Sequence, residues 1–532
     1  WYRPDLMAVI AIGDFDTESV QKRIHQHFSK LKAPPEPRAR DIYPVPDHDG
    51  DLFAITTDPE ATMTSIGVYY KLPKAPQGTA GDYRRQIVEQ IYHGMVNARL
   101  GELTQEADPP FLYGVSASAG IVRSSDFYIQ AAGVREGQVI RGLEALLTEA
   151  ERADRFGFTE TELARMKADL LRAYEQAYAE RDKRESGSYA SEYMRHFLDG
   201  ESIPGIEMEL AMVQEFLPTI TLDEVNKLAE EAIQQTNRVV LLSGPEKAGQ
   251  ALPDEAALAT AFENVSNTEI TAYVDRVRDT PLLEEEPTVS KVVDEQFIEE
   301  IDVTEWRLEN GIRVVLKPTD FKNDEVLLTG FSPGGHSLVP DDKYSSAVFS
   351  DSILSEGGVG DFDSIELEKA MAGKLVSVSP FIGELEEGVT ASASPQDLET
   401  LFQLVYLTIT APRADPEAYQ AFITKMESFI ENREARPELA FSDEVQRVTY
   451  GGHFRRRPIS TEVLEEIDLE TALEVFRDRF ADTSDFVFLI VGSFDLDGIR
   501  PLVERYLGGL PTTDREETWR DVGAHPVEGE LE

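Results

Sequence analysis

Phe486 to Leu510 reads FVFLIVGSFDLDGIRPLVERYLGGL, and nearly the same text stands at Met7 to Leu31, MAVIAIGDFDTESVQKRIHQHFSKL. The runs align without a gap at an offset of 479 (492 − 13 = 479), pairing Gly13 with Gly492, Phe15 with Phe494 and Asp16 with Asp495. Each copy opens with apolar and β-branched residues that suit a buried strand, Val9 to Ile12 and Val487 to Val491. A Gly-x-Phe-Asp turn follows. Apolar residues then recur at helical spacing, Val20, Ile24, Phe28 and Leu31 against Ile499, Val503, Leu507 and Leu510. Strand, turn and amphipathic helix are ordinary singly, but a gap-free match over about 25 positions marks a duplication, and repeats decide architecture before local propensity does. With one copy at the start and the other near the end, the chain is expected to be the middle of a longer protein.

Composition bounds the setting. At 532 residues the expectation is three or more domains, each large enough for its own core. No run approaches the roughly 18 to 20 apolar residues of a membrane span. Lys and Arg total 51 against 99 Asp and Glu, a net charge of −48, and such a field repels nucleic acid and anionic lipid. It would attract basic peptides, or it only keeps the surface solvated in salt. The absence of cysteine excludes disulfides, thiol catalysis and cysteine-based zinc sites. An exported bacterial protein tolerates that absence, and so does a cytosolic one.

Along the chain, the proline-rich stretch from Lys32 to His48 reads as an extended linker. Strands are expected at Leu52 to Thr57, Met63 to Lys71, Tyr113 to Ala119, Asp126 to Ala132 and Arg238 to Ser243. Helices are expected at Tyr83 to Leu100, Gly137 to Ala153, Thr159 to Arg181, Glu185 to Leu198 and Leu222 to Gln235. Thr159 with Glu162 and Thr221 with Glu224 spell helix starts. From Glu246 to about Asp302 the chain turns acidic and proline-bearing, a strap with one short helix at Glu255 to Asn264. Trp306 to Pro318 then carries Asn310-Gly311, a strong hairpin signal. The earlier domain recurs at an offset of 261, setting Tyr83 against Tyr344 (344 − 83 = 261) and Val115 to Ser118 against Val376 to Ser379 (376 − 115 = 261). Later the offset falls to 256, setting Leu163 against Tyr419 (419 − 163 = 256). The fold class is α+β: tandem related domains, each an antiparallel-rich sheet with helices on one face, joined by an extended linker.

LENGIRVVLKP at 308–318, HFRRRPIS at 453–460, the two Gly-x-Phe-Asp units, YRPDLMAVIAIGDFD at 2–16 and LYGVSASAG at 112–120 together resemble the pitrilysin/insulinase-type zinc metallopeptidases, the inverzincins. Their order and spacing carry the resemblance, over essentially the whole chain. It implies four related domains in two halves. Residues 1–48 would then be the strand-helix end and linker of a mostly absent catalytic first domain, 49–245 an inactive second domain, 246–303 the acidic strap, 304–515 a third domain, and 516–532 the lead into an absent fourth.

The family's chemistry needs H-x-x-E-H on a helix, two imidazoles on one face holding zinc and a glutamate as base. The histidines here are His25, His27, His48, His93, His196, His336, His453 and His525, and no two stand four apart. In the third domain the resemblance sets Val348 and Ser352 in place of the histidines and Asp351 in place of the glutamate, with the further glutamate near Glu427. Valine offers no donor and serine a poor one, so no zinc is expected in this chain and its zinc would lie in the absent first domain. The family also grips peptide backbone with an arginine and a tyrosine. Here Tyr113 matches the tyrosine while Thr104 stands for the arginine, so Tyr113 is a substrate-binding candidate or simply cleft lining. Arg455 and Arg457 of the basic island 455–457 are candidates for a substrate carboxylate, against ion pairing within the protein. Gly357 to Gly360 lacks the Gly-Lys-Ser/Thr of a phosphate loop, and no G-x-S-x-G marks a serine hydrolase.

The reading that follows is a non-catalytic portion of a bacterial zinc metalloendopeptidase, inactive alone, that helps wall a peptide-enclosing chamber. Its partners would be peptides or unfolded polypeptides and the missing catalytic domain, with a homodimer left open. The expected compartment is the periplasm or beyond, with the cytoplasm left open. The alternative is a pseudopeptidase scaffold or partner subunit.

Overall fold

The computed structural model describes residues 2–529 apart from 235, 248, 250, 432, 434 and 435. After helix α1 (Thr17–Phe28), a first sheet forms from β1 (Asp51–Asp58), β2 (Thr64–Pro73), β3 (Tyr113–Val122), β4 (Ser125–Val134) and β5 (Arg238–Pro245). Between them run α2 (Ala80–Leu103), α3 (Val139–Phe156), α4 (Glu160–Ala179), α5 (Ser186–Asp199), α6 (Ile206–Phe216) and α7 (Leu222–Ala232). The strap carries α8 (Glu255–Asn267). A second sheet follows from β6 (Val292–Ile298), β7 (Val303–Leu308), β8 (Arg313–Pro318), β9 (Val326–Pro333), β10 (Val376–Ile382), β11 (Glu386–Ala393) and β12 (Val487–Gly492). Its helices are α9 (Tyr344–Glu356), α10 (Ser364–Ala370), α11 (Leu398–Thr410), α12 (Pro416–Glu431), α13 (Pro437–Thr449), α14 (Thr461–Glu465), α15 (Leu469–Arg479) and α16 (Leu496–Leu502).

The strand orders are β1-β5-β2-β4-β3 and β10-β11-β9-β12-β8-β7-β6. Substituting β8, β12, β9, β11 and β10 for β1, β5, β2, β4 and β3 turns the first order into the second, with the β6–β7 ribbon added at one edge. In each sheet only the pair of first and last strand, β1 with β5 and β8 with β12, is parallel. The tandem α+β architecture is therefore one topology used twice. Helices cover one face of each sheet and build separate cores, one around Val68, Ile91, Leu143 and Val240, the other around Trp306, Val314, Phe402 and Phe488.

Local chemistry explains several elements. Asn310-Gly311 makes the β7–β8 hairpin, with Gly311 at φ +94°, and the Asn310 amide donates to the carbonyls of Leu507 and Gly508 at 3.0 and 3.1 Å. Thr159 and Glu162 close a capping box on α4, and the Thr221 hydroxyl accepts the Glu224 N–H at the start of α7.

Four expectations are corrected. Val9 to Ile12 forms no strand: residues 9–12 are extended and largely exposed, because no described strand lies beside them to take their N–H and C=O groups. The strap is not merely extended, since Val292–Ile298 pairs antiparallel with β7 as an edge strand whose acidic side chains stay in water. Helix α6 is unforeseen, and α7 ends at Ala232, with Gln235 outside the described residues.

The fourth concerns register. Buried Ile87, Val88, Tyr92, Met95 and Val96 of α2 match buried Ser345, Ser346, Ser350, Ile353 and Leu354 of α9 at an offset of 258 (345 − 87 = 258, 354 − 96 = 258), not 261. On the strands, Ser116 faces the helices whereas Ser377 faces away from them, so the 261 pairing of β3 with β10 is wrong in parity. An odd slip flips every side chain to the other face.

The two halves meet through buried charge. Asp275 of the strap accepts two hydrogen bonds from the Arg165 guanidinium at 2.8 and 3.0 Å and an ion pair from Lys369 at 3.1 Å. Lys369 also reaches Glu102 at 2.7 Å and the Tyr273 hydroxyl at 3.0 Å. The Asp275 and Lys369 side chains are 4% and 9% exposed, so each needs its partners. Beside this network Arg172 pairs with Asp324 at 2.7 Å, and Asp169 accepts the Gly373 N–H at 2.6 Å.

Burial alone would raise the Asp275 pKa, but the hydrogen bonds from Arg165, Thr161 and Lys369 outweigh it and hold the group at about 2. The folded-state value lies below the unfolded one of about 3.9, so this contribution is complete above about pH 5 and is lost as pH falls toward 2. Asp275→Ala, which leaves half-buried Arg165 without its carboxylate and Lys369 with Glu102 as its one remaining acidic partner among the described residues, is expected to lower the unfolding free energy by about 3 kcal/mol, read as a lower urea midpoint. A midpoint equal to wild type at pH 7 would refute the role given to this network.

Candidate functional site

Each half lays one helix over the exposed edge strand of its sheet, α2 over β3 and α9 over β10. These two clefts are where the fold brings helix side chains against free backbone.

In the first cleft, His93 and Asn97 stand one turn apart on α2 and face β3. The His93 ring bridges the hydroxyls of Ser116 at 2.9 Å and Ser118 at 2.8 Å and stacks on Tyr128 with centroids 5.5 Å apart. Burial pushes its pKa down to about 4, so the imidazole is neutral at pH 7. Asn97 accepts the Ser116 N–H at 2.6 Å and donates to the Ser116 carbonyl at 3.0 Å. One side-chain amide thus takes the place a neighbouring strand would have had at Ser116. Sequence reasoning missed this pair, although a His and an Asn four apart on the inner face of a strong helical pattern were the signal for it.

In the second cleft, Val348 is half-buried and Ser352 exposed on α9. Between them Asp351 accepts the N–H of Ile382 on β10 at 3.0 Å, together with the Ser352 N–H at 2.6 Å and hydroxyl at 3.1 Å. Burial raises its pKa despite those donors. These residues do not fit a zinc ion: Val348 has no donor atom, the Ser352 hydroxyl is spent on Asp351, and the one carboxylate holds backbone. Glu427 is an exposed residue of α12. Among the described residues no three His, Cys, Asp or Glu side chains converge as a metal site would require.

The remaining candidates stand outside the two clefts, Tyr113 on the outer face of β3 and both Arg455 and Arg457 against the first turn of α9. Tyr113 begins β3, 43% exposed, its ring lying over Gly133 of the paired strand, where a Cβ would meet it at 2.3 Å. Arg455 is buried, donating to Asp341 at 3.0 Å and to the carbonyls of His336 and Val339 at 3.0 and 2.7 Å, with its guanidinium over the Tyr344 ring at 4.7 Å. Arg457 is paired with Glu466 and donates to the Ser345 hydroxyl at 3.1 Å. Both arginines are engaged inside the protein.

The sheet faces turned away from the helices have a common character. On the first sheet that face carries Tyr113, Val115 and Ala117 of β3, Ile129, Ala131 and Gly133 of β4, Ser65, Gly67 and Tyr69 of β2, and Val239, Leu241 and Ser243 of β5. On the second it carries Ser377, Ser379 and Phe381 of β10, Gly388, Thr390 and Ser392 of β11, Leu327, Thr329 and Phe331 of β9, and Val487, Leu489 and Val491 of β12. No charged side chain stands among these residues, in a chain of net charge −48, although exposed Glu386 ends the same face of β11 and Arg313, Lys317, Glu305 and Arg307 carry that face on over β8 and β7. Lys71, farther along β2, is turned into the linker, donating to the Pro46 carbonyl at 2.8 Å.

Comparison with known proteins places this geometry. Residues 1–170 match the Peptidase M16 inactive domain. A zinc protease PQQL-like protein of Arabidopsis thaliana is 29% identical over 514 residues, 96% of this chain and 48% of that protein. The probable zinc protease PqqL of Escherichia coli K12 is 23% identical over 520 residues, 97% of this chain and 55% of that protein. The chain spans about half the length of the curated relatives it matches. Among solved structures, the ferredoxin protease FusC in complex with Arabidopsis ferredoxin superposes with a TM-score of 0.61 at 18% identity over 97% of this chain and 57% of that one. Pitrilysin does so with a TM-score of 0.51 at 14% identity over 92% and 51%. Among the described residues no helix is long and apolar enough to cross a membrane.

The purified chain is expected to carry no stoichiometric zinc by elemental analysis at neutral pH, and a full equivalent would overturn the assignment of the α9 positions. Asp351→Leu leaves the buried Ile382 N–H without an acceptor and should cost about 1 to 3 kcal/mol in a denaturation titration.

Proposed function

Because this chain is a homologue of the pitrilysin/insulinase-type zinc metallopeptidases, we propose that it is a non-catalytic portion of a bacterial endopeptidase of that type. Its two sheets would form part of the wall of a chamber that encloses peptides. In this reading residues 1–48 close a catalytic first domain, 49–245 and 304–515 are the second and third domains, 246–303 join the halves, and 516–532 lead into a fourth. The zinc and its H-x-x-E-H helix belong to the first domain, whose joining to this chain completes the enzyme. The parent works in the periplasm or outside the cell on peptides or unfolded polypeptides.

The observation that carries this reading is the run of small, hydroxyl, aromatic and aliphatic side chains along the outer faces of β2 to β5 and of β9 to β12, with charge confined to the strand ends at Lys71 and Glu386 and to the flanking β7 and β8. A wall of glycine, alanine, serine and aliphatic residues discriminates little between sequences, so a chamber built from it selects by size and shape. It also spares a peptide the repulsion or capture that the acidic exterior would impose on it.

A second reading, a pseudopeptidase scaffold, draws support from the clefts themselves. Asn97 already occupies the backbone of Ser116 and Asp351 that of Ile382, the groups an incoming peptide would pair with.

The gene decides between the two. An H-x-x-E-H within about 200 residues upstream of Trp1 is expected, that being roughly one domain, and its absence would leave the scaffold standing. The chain alone should not cleave an unfolded peptide such as reduced insulin B chain; cleavage that stops on adding a chelator would refute the non-catalytic assignment.

A further inference from the structure

A cavity of about 540 Å³ opens between the end of α9, the short helix α10 and the edge strand β10. Leu354, Leu367, Met371, Leu404 and Phe476 give it apolar walls. Asp169, reaching over from α4 of the other half, and Glu368 of α10 also line it. Asp169 is tied to the Gly373 N–H. Glu368 has no hydrogen-bond or ion-pair partner among the described residues, while Lys369 beside it is committed to Glu102 and Asp275. Asp169 is half-buried and Glu368 stands exposed at the rim, so a cation brought to the cavity mouth meets a carboxylate from each half.

The backbone beside the cavity is open. Strand β10 is outermost in its sheet, and the Ile382 N–H points away from β11 toward Asp351. Edge peptide groups alternate, so those of Val376 and Val378 also point to the free side, and Pro380 has no N–H to offer. That leaves a short run of unpaired edge along the cavity mouth. The matching run on β3 is taken by Asn97. Among the described residues the second half thus combines an apolar hole, free backbone and an unpaired acid, whereas the cavity of about 590 Å³ beside β3 has Asn97 on its strand and its Glu89 paired with Arg85.

We propose that this cavity docks a short extended peptide segment in which a large apolar side chain and a lysine or arginine stand two residues apart, on one face of the added strand. The segment adds to β10 at Val376 and Val378, the apolar group fills the hole, and the cation meets Glu368, aided by Asp169. The site stands on its own geometry and holds whether the parent is an endopeptidase or a scaffold.

The test is fluorescence anisotropy at about 0.15 M salt, with the full chain and a labelled Gly-Ser-Leu-Ser-Lys-Gly peptide, compared with the same peptide carrying Ser in place of Lys. Since an acidic chain attracts any cation weakly, the variants are decisive. Glu368→Gln removes a carboxylate with no structural partner, so the thermal midpoint should not move, while affinity for the lysine peptide falls about tenfold and that for the serine peptide stays unchanged. Ala372→Phe fills the cavity and should abolish binding of both peptides. Exposed Glu285→Gln controls for bulk charge and should change nothing. Equal binding of the lysine peptide by wild type and Glu368→Gln, or undiminished binding by Ala372→Phe, overturns the proposal.

Discussion

The structure depends on one long-range closure. In each half the last strand returns to the middle of the sheet, parallel to the first strand on one side and antiparallel to the second on the other: β5 between β1 and β2, β12 between β8 and β9. This insertion makes a sheet out of strands separated by some 170 residues (487 − 313 = 174). It demands close approach. Gly330 lies against the Phe488 ring, where a Cβ would come within 2.3 Å, and Gly492 ends the strand at φ +142°, where a Cβ would strike the Glu325 carbonyl at 2.3 Å. Phe488 and Ile490 are fully buried as a result. Because the returning strand fills the centre, β3 and β10 are left at the edges, and both clefts follow from that placement.

The duplicated text separates what is local from what is not. Asp16 accepts the Ser19 N–H at 2.8 Å just as Asp495 accepts the Gly498 N–H at 2.6 Å, and Gly13 shares the positive φ of Gly492. Turn and cap need only their own neighbours, so they form in both copies. Val9 to Ile12 needs partners across the sheet and stays single, while Val487–Gly492 has them on both sides. The alternation of β2, the capping spellings at Thr159 and Thr221 and the Asn310-Gly311 hairpin were legible for the same reason: each is settled within a few residues. The register between the halves was not. Val-Ser-Ala-Ser and Val-Ser-Val-Ser look alike at odd and even slips, and only packing against a helix tells which serines face inward. The α2–α9 offset of 258 emerged from burial, which the letters do not carry.

Charge is distributed by the same division of faces. The excess of acid sits on helix exteriors and on the strap, where water screens it, and across four strands of each half the sheet faces away from the helices carry a single acid, exposed Glu386 at the end of β11. Where charge does enter the interior it is paired and given structural work, as with Asp275 between Arg165 and Lys369, or Arg99 with Glu162 at 2.7 Å. Arg455, which reads from the sequence either as a contact for a substrate carboxylate or as an ion pair within the protein, belongs to this class. Its 2% exposed side chain holds the 336–341 loop rather than facing outward.

An edge strand is a liability unless its outward N–H and C=O groups are dealt with, and this chain deals with its two edges differently. On β3 a single amide, Asn97, satisfies both groups of Ser116, and His93 fastens the flanking hydroxyls, so the helix itself acts as the missing neighbour. On β10 the place of His93 is taken by Asp351 (351 − 93 = 258), whose acceptors satisfy one N–H, at Ile382, and no carbonyl, and the place of Asn97 by Ser355 (355 − 97 = 258), whose hydroxyl donates to the Asp351 carbonyl instead of to the strand. A histidine and an amide on one helix, against a carboxylate and a hydroxyl at the same two places on the other, close one edge at Ser116 and leave the other partly open. Backbone topology thus fixes where a peptide could approach, and the side chains one turn apart on the covering helix decide whether it can.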